Sequence, residues 1–353
     1  MKIGKYIRSN LPKIYFFLIS IQKKIASFNK PYYIYITDSL GGSFKTYIKE
    51  RKLEDIKSNL SKRLDSESQK VVDIMSNRFL SYPDESVKVP IDENNKIEGG
   101  LLEVETKSNK EKIGLFLDEQ SQKYKLGRQH ISDSVFYFDH GLSLFSKKAH
   151  DYIKNEDFVD LGAYVGDSTI ALSKYDYRKM YSVEISKRSV AAYLENVSNE
   201  GIDPAKFELI NVAISAEDNL PNMELPDTGS AGFSLMRERG KYDHISIKQK
   251  TFDELVNQYS IRPKFVKVDI EGYAMHFVKG GLDSIKEHRP ILSIAIYHNP
   301  IEFFEIKPLL EKELRNYSFC LRKMTSEVKD NHCHSEVILL AYPSELVDVI
   351  SIV

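Results

Sequence analysis

The pattern of hydrophobic and polar positions divides the chain into two parts. Up to about residue 90, apolar residues recur among polar ones at helical spacing, as at Leu60, Leu64, Val71, Ile74 and Leu80. Such spacing places them on one face of a helix, so this part is predicted to be helical. Residues 91–112 are rich in charge, Asn and Gly, and we expect a surface loop or a hairpin insertion there.

From residue 157 onward, short apolar runs alternate with helix-like segments. Five runs are strand candidates, at residues 157–161, 180–185, 207–214, 264–270 and 291–297. Strands that alternate with helices of about 10 to 15 residues predict a parallel sheet wrapped by helices. Two later runs, 317–323 and 335–342, are predicted to form an antiparallel edge. Residues 233–236 and 245–251 favour a hairpin-like excursion.

These elements predict an α/β fold with a mostly parallel, Rossmann-like sheet over residues 140–353. A mostly helical N-terminal region over residues 1–139 is expected to precede it. Within the second part, Ser186 is a candidate N-cap for a helix that runs to Asn199.

Composition and charge exclude several classes of protein. The 353 residues include 50 Lys and Arg against 51 Asp and Glu, which argues against nucleic-acid binding through phosphate neutralisation. The hydrophobic fraction of 42% is too high for a disordered chain. Two cysteines offer no disulfide framework, so a cytoplasmic protein is predicted.

The N-terminal segment carries a short apolar run, residues 14–21, among lysines and one arginine, with no acidic residue before Asp38. The run is far shorter than the ~20 residues of a membrane-spanning helix. Lysines follow it without a small-residue cleavage site, which disfavours a signal peptide. A packed first helix with solvated lysines is one interpretation. The other is that residues 1–30 contact the inner membrane face peripherally, since lysines attract anionic lipid.

A glycine-containing loop follows the first strand candidate of the sheet. Asp160, Gly162 and Gly166 belong to this loop, at the carboxyl end of a strand, where open α/β sheets bind ligands. Glu184 ends the next strand, and a carboxylate there can accept hydrogen bonds from both hydroxyls of a ribose. The combination predicts a cofactor that carries a nucleoside.

The loop also indicates which nucleoside cofactor fits. Tyr164 stands where dinucleotide sites need a glycine for close approach to a pyrophosphate, and no P-loop lysine follows. Asp160 and Asp167 add negative charge, which suits a cationic ligand. S-adenosylmethionine has a ribose, a sulfonium cation and no phosphate, so it is the favoured cofactor. An NAD(P)-dependent oxidoreductase is the alternative enzyme.

At this point the sequence resembles a known family. The segments DFVDLGAYVGDST, NVAIS, TFDEL, KFVKVDIEGYAMHFVKGG and RPILSIAIYH, in this order, are similar to the FkbM-type S-adenosylmethionine-dependent methyltransferases. The resemblance covers about residues 138–342. It implies a Rossmann-like class I methyltransferase that acts on a small-molecule or glycan acceptor. We expect O-methylation of a sugar hydroxyl or of a secondary metabolite, as in glycan biosynthesis.

The resemblance also assigns roles to residues. It implies that the loop holds the methionine end of the cofactor, that Glu184 binds the ribose and that Ala213 flanks the adenine. The full set of implied cofactor residues is Asp160, Gly162, Ala163, Tyr164, Gly166, Asp167, Ser168, Glu184, Ile185, Ala213 and Asp269. Tyr164 replaces an Asn that is usual in the family, and Ile185 replaces a Pro. Neither departure changes the charge of the site.

Three further residues are candidates for catalysis. Asp269 and Glu271 match the family's KxDxEG motif, and His298 follows the next strand. Residues at the carboxyl ends of neighbouring strands converge, and methyl transfer to a hydroxyl needs help in removing its proton. Two close carboxylates either share a proton or bind a divalent cation, so a base and a metal ion both stay open.

Two ion pairs are expected from strand positions. Lys267 shares a strand face with Asp269 and is predicted to pair with it. Arg322 and Glu336 are predicted to pair across the two late strands. A non-enzymatic alternative is a membrane-peripheral assembly module that keeps the fold without catalysis.

Overall fold

A computed structural model describes residues 32–36, 41–81, 87–91, 100–226, 244–327 and 335–346. Residues 1–30 and 233–236 lie outside the described residues, so the membrane contact of the former and the strand in the latter stay predictions. Among the described helices, none combines the length and the apolar character that crossing a bilayer requires.

The centre of the protein is a seven-stranded sheet with the order β12-β13-β11-β10-β3-β4-β5. Its strands are β3 (Asp157–Leu161), β4 (Met180–Val183), β5 (Phe207–Ile210), β10 (Pro263–Val268), β11 (Ile291–Ala295), β12 (Tyr317–Lys323) and β13 (Val337–Pro343). Strands β11, β10, β3, β4 and β5 run parallel, and β13 is antiparallel to both β11 and β12. The predicted parallel sheet with an antiparallel edge is confirmed.

Shorter strands flank the sheet. The pairs are β1 (Tyr32–Ile36) with β2 (Val87–Ile91), β6 (Ala213–Ile214) with β9 (Gln249–Lys250), and β7 (Met223–Pro226) with β8 (His244–Ile247). The predicted run 207–214 is therefore two strands, because the chain leaves the main sheet after Ile210 to pair with β9. The β7–β8 pair is antiparallel; β8 overlaps the predicted run 245–251, whereas its partner β7 lies outside the predicted runs.

Helices cover the sheet and make up most of the described N-terminal region. They are α1 (Gly41–Lys49), α2 (Leu53–Ser61), α3 (Ser66–Ser81), α4 (Lys107–Lys123), α5 (Lys147–Ile153), α6 (Asp167–Leu172), α7 (Lys187–Asn199), α8 (Phe252–Tyr259), α9 (Ala274–Lys279), α10 (Leu282–His288) and α11 (Pro300–Glu313). The Ser186 side chain accepts a hydrogen bond from the Ser189 amide and caps α7, as predicted.

Two local predictions are wrong. Residues 107–112 belong to α4 and not to a loop, because Thr106 caps the helix and Ile113 and Leu117 bury one face. The charges that suggested a loop lie on the solvated side of this helix. The sequence also predicts helices up to about residue 90, but the structure has the antiparallel strand pair β1–β2 in this part. The boundary at residue 139 stays a prediction, since one apolar core includes side chains from both sides of it.

One ion pair is buried inside the helical region, and others join this region to the edge of the sheet. Arg78 on α3 donates to both carboxylate oxygens of Glu105 at 2.7 and 2.6 Å. Both side chains are almost completely buried. Arg322 on β12 lies 3.2 Å from Asp65 and 3.1 Å from Glu67, so the predicted Arg322–Glu336 pair is wrong. Strand β12 packs against α3, so the acidic residues at the start of α3 are the ones that pair with Arg322.

Replacing Arg78 by Met is expected to lower the free energy of unfolding by about 3 kcal/mol or more, because a buried carboxylate loses its main partner. Lys147→Met, which removes an exposed pair with Asp151, should change it by less than about 1 kcal/mol. Urea denaturation of both variants measures the difference. Similar losses in the two variants would show that burial of the Arg78 pair adds nothing.

Candidate functional site

The loop after β3 is held against β10 by a very close backbone approach. Gly162 has a φ of +89°, and a Cβ built on it would lie 1.9 Å from the carbonyl oxygen of Asp269. The Asp269 amide donates to the Leu161 carbonyl at 2.9 Å. A residue with a side chain cannot occupy this position without moving backbone. The glycine therefore fixes the loop and the first acidic residue of the KVDIEG segment side by side.

Glu184 fastens the same loop from the other side. Its carboxylate accepts hydrogen bonds from the amides of Tyr164 and Ser186, each at 2.8 Å. The side chain is 9% exposed, and this burial raises the pKa of the carboxyl. Each oxygen still has a lone pair for another donor. Glu184 thus positions the loop and can also accept hydrogen bonds from a ligand.

A cleft of about 720 Å³, including its open mouth, lies at the carboxyl ends of these strands. Six of the predicted cofactor residues line it: Gly162, Tyr164, Glu184, Ile185, Ala213 and Asp269. Glu271 and Tyr273 lie on its acidic side. The other predicted cofactor residues, Asp160, Ala163, Gly166, Asp167 and Ser168, do not line it. Ser168 instead lies 2.9 Å from the Nε2 atom of His140.

The opposite wall of the cleft is apolar. Ile185 and Ala213 meet Met223 and Leu225 from β7, with Ile245 and Ile247 of β8 packed in the same cluster. Sequence analysis missed Met223 and Leu225. Strand β7, which carries them, is not among the predicted strands, although apolar and polar residues alternate along it as Met-Glu-Leu.

Asp160 has a different partner from the one expected. Its side chain is completely buried, and the Lys267 Nζ atom lies 2.9 Å from its Oδ1 atom. Lys267 also donates to the Gly162 carbonyl at 2.7 Å. The predicted Lys267–Asp269 pair is therefore wrong, since the lysine reaches across to β3. The charge of Asp160 is neutralised, and the acidic residues that line the cleft are Glu184, Asp269 and Glu271.

The three predicted catalytic residues lie together. His298 Nε2 is 3.3 Å from Asp269 Oδ1 and 3.6 Å from Glu271 Oε2. His298 Nδ1 is 3.4 Å from Glu302 on α11, which sequence analysis missed. Burial raises the pKa of Glu271 to about 7. Burial lowers the pKa of His298, but the surrounding carboxylates outweigh it and hold that pKa well above its ordinary value. The group can therefore hold or accept a proton near neutrality.

Tyr164 adopts a left-handed conformation with a φ of +44°. Its ring lies 5.6 Å from the ring of His130, between centroids. Tyr164 lines the cleft beside the glycine loop.

The chain is similar to a known protein family. The family model of the Methyltransferase FkbM domain matches residues 160–325. The search of curated proteins finds no significant match.

One solved structure supports the fold, and two others are more distantly similar. Methyltransferase FkbM from Methylobacillus flagellatus KT is 18% identical with a TM-score of 0.52, and the match covers 85% of this chain and 61% of that one. Cofactor-bound Rv0187 from MTB is 12% identical over 68% and 94% of the two chains, with a TM-score of 0.38. SMU.1697c from Streptococcus mutans, in complex with SAH, is 14% identical over 56% and 96%, with a TM-score of 0.32.

Gly162→Ala is expected to destabilise the protein by more than about 1 kcal/mol, because the new Cβ meets the Asp269 carbonyl and the positive φ is strained. Gly114→Ala is the matched control. Gly114 lies inside α4 with nothing within 4 Å of an added Cβ, so alanine should stabilise by about 1 kcal/mol. Urea denaturation compares the two, and effects of the same sign would refute the close-approach argument.

Asp167 should make stability pH-dependent. Burial raises the pKa of its carboxyl from 3.8 to about 7. The folded protein therefore keeps a proton that the unfolded chain has released, and the contribution of this group to stability falls as the pH rises from about 4 to about 7. In Asp167→Asn, the midpoint of thermal unfolding should fall less than in the parent protein between pH 5 and pH 8. Asp176→Asn, at an exposed site, should behave like the parent protein; an unchanged pH dependence in Asp167→Asn contradicts the assignment.

Proposed function

We propose that the protein is an S-adenosylmethionine-dependent methyltransferase that acts on a hydroxyl group. One observation carries the proposal: the Glu184 carboxylate faces a cleft beside the glycine loop of a methyltransferase domain, between an apolar wall and two further carboxylates. This arrangement suits a ligand with an apolar base, a ribose and a positive charge. A dinucleotide suits it less, since Tyr164 fills the place where a pyrophosphate needs glycine.

The residues of the cleft fit such a cofactor. The two oxygens of Glu184 accept from the Tyr164 and Ser186 amides, and a carboxylate has about four lone-pair sites, so it can also accept from hydroxyls of a ribose. Ile185, Ala213 and Leu225 offer the apolar surface that an adenine ring needs. Asp269 brings negative charge to the side where a sulfonium would lie. When bound, the cofactor supplies a methyl group made electrophilic by the sulfonium.

The acceptor side of the cleft has the groups that a hydroxyl needs. Asp269, Glu271 and His298 can position an acceptor hydroxyl and take its proton, or hold a divalent cation that lowers its pKa. Tyr297 donates to Glu336 at 3.3 Å, and its ring lies 4.1 Å from that of His298, between centroids. Polar and aromatic side chains of this kind suit a hydroxyl-rich acceptor, such as a sugar of a glycan or a secondary metabolite.

Isothermal titration calorimetry with S-adenosylhomocysteine tests the cofactor. The protein should bind S-adenosylhomocysteine and should not bind NADH. Glu184→Gln loses the charged acceptor of the ribose, so its Kd should rise about 10- to 100-fold, as for a hydrogen bond to a charged group. Tighter binding of NADH than of S-adenosylhomocysteine would favour the oxidoreductase alternative.

Glu208→Gln is the matched control for this substitution. Glu208 lies on the neighbouring strand β5 and pairs with Lys179 away from the cleft. The same chemical change there should leave the Kd unaltered. An unaltered Kd in Glu184→Gln, with normal thermal unfolding, would remove Glu184 from cofactor binding.

A further inference from the structure

The group around His298 contains more buried polar atoms than its hydrogen bonds account for. Among the described residues, no hydrogen-bond partner reaches Nε2 of His298 or Oδ1 of Asp269. His298 is only 7% exposed. Buried polar atoms without partners are costly and are rare in folded proteins. Something outside the chain is therefore expected to satisfy them.

The charge of the group also favours a ligand from outside the chain, and one that is positively charged. Three carboxylates, those of Asp269, Glu271 and Glu302, surround the single imidazole of His298. Lys267, the nearest buried cation on β10, already pairs with Asp160. Even a charged imidazole leaves an excess of negative charge in a buried place, which a divalent cation would neutralise.

The spacing of the atoms fits coordination. One oxygen from each of Asp269 and Glu271 and one nitrogen of His298 lie within 4.8 Å of one another. Atoms bound about 2.1 Å from one ion lie about 3.0 Å apart at right angles and about 3.4 Å apart at the tetrahedral angle. The observed separations from His298 Nε2 are 3.3 and 3.6 Å. Small side-chain movements would bring all three ligands onto one ion.

Glu302 has the position of a residue that orients a metal-binding histidine. Its Oε1 atom accepts a hydrogen bond from the Ala274 amide at 2.8 Å, and its Oε2 atom lies 3.4 Å from His298 Nδ1. The side chain is completely buried. A carboxylate on the far nitrogen fixes the tautomer of the imidazole and directs Nε2 toward a metal. Here Nε2 faces Asp269 and Glu271.

We infer that Asp269, Glu271 and His298 bind a divalent cation, with Glu302 as the positioning residue. Two carboxylates and one imidazole suit Mn²⁺, and three protein ligands leave open positions for oxygen atoms of an acceptor. Because Asp269 and Glu271 also line the cleft, the ion would lie beside the bound cofactor. Cation binding rests on the geometry alone, whereas a part for the ion in methyl transfer rests on the proposed function.

Titration of the full-length, EDTA-treated protein with MnCl₂ tests the inference. Free Mn²⁺ is measured by its electron paramagnetic resonance signal, and about one ion per chain should bind. Glu271→Gln and His298→Gln should each weaken binding at least about 10-fold, and Glu302→Gln about 10- to 100-fold. Electron spin-echo modulation from a coordinated nitrogen should appear in the parent protein and be lost in His298→Gln.

Glu305→Gln is the matched control, because Glu305 lies on the same helix but bonds to Tyr47 outside the group. It should bind Mn²⁺ like the parent protein. No binding by the parent protein at millimolar Mn²⁺, or equal affinity in Glu271→Gln and His298→Gln, would overturn the site. Equal affinity in Glu302→Gln would remove its positioning role. Since Mn²⁺ is added without cofactor, failure here is distinct from failure to bind S-adenosylhomocysteine.

Discussion

The site depends on one backbone contact, the approach of Gly162 to Asp269. Strands β3 and β10 are parallel neighbours, and their register places Leu161 opposite Val268, so the residues after them leave the sheet together. Because residue 162 has no side chain, the segments that follow β3 and β10 stay in contact beyond the last hydrogen bond between these strands. This contact joins the side of the cleft that carries Glu184, at the ends of β3 and β4, to the side that carries Asp269 and Glu271, at the ends of β10 and β11.

The charged residues that pair inside the sheet are different from those that line the cleft. Lys267 and Asp160 neutralise each other inside the sheet, and the same lysine holds the Gly162 carbonyl. The loop is thereby anchored by a buried cation. Asp269, the first residue after β10, keeps its negative charge on the open side. Lys267 can anchor the loop while Asp269 faces the cleft because β10 ends at Val268, between them. Beyond that residue, the side chains no longer have to alternate between the two faces of the sheet.

Much of this arrangement could be predicted from the sequence because it depends on local order along the chain. The strands, the glycine loop, Glu184 and the acidic motif each follow from short segments, and the parallel topology places strand ends at one edge. Partner choice could not be predicted in this way. Lys267 pairs with the neighbouring strand, and Arg322 pairs with a helix more than 250 residues away in sequence. Such choices depend on how layers pack, which strand periodicity does not encode.

Glu302 is a residue whose partners the sequence does not predict and whose position bears on the proposed metal site. Glu302 lies on α11, and His298 precedes this helix. The two residues are four apart in sequence, which is also the spacing of ordinary side-chain pairs in helices. Nothing in the sequence distinguishes it from Glu305 or Glu311. Only the packing of α9 against α11 gives its carboxylate a buried amide partner and sets its second oxygen beside the imidazole. The chemistry of the acidic side of the cleft is therefore determined by a contact between helices, while its cofactor side is determined by the strands.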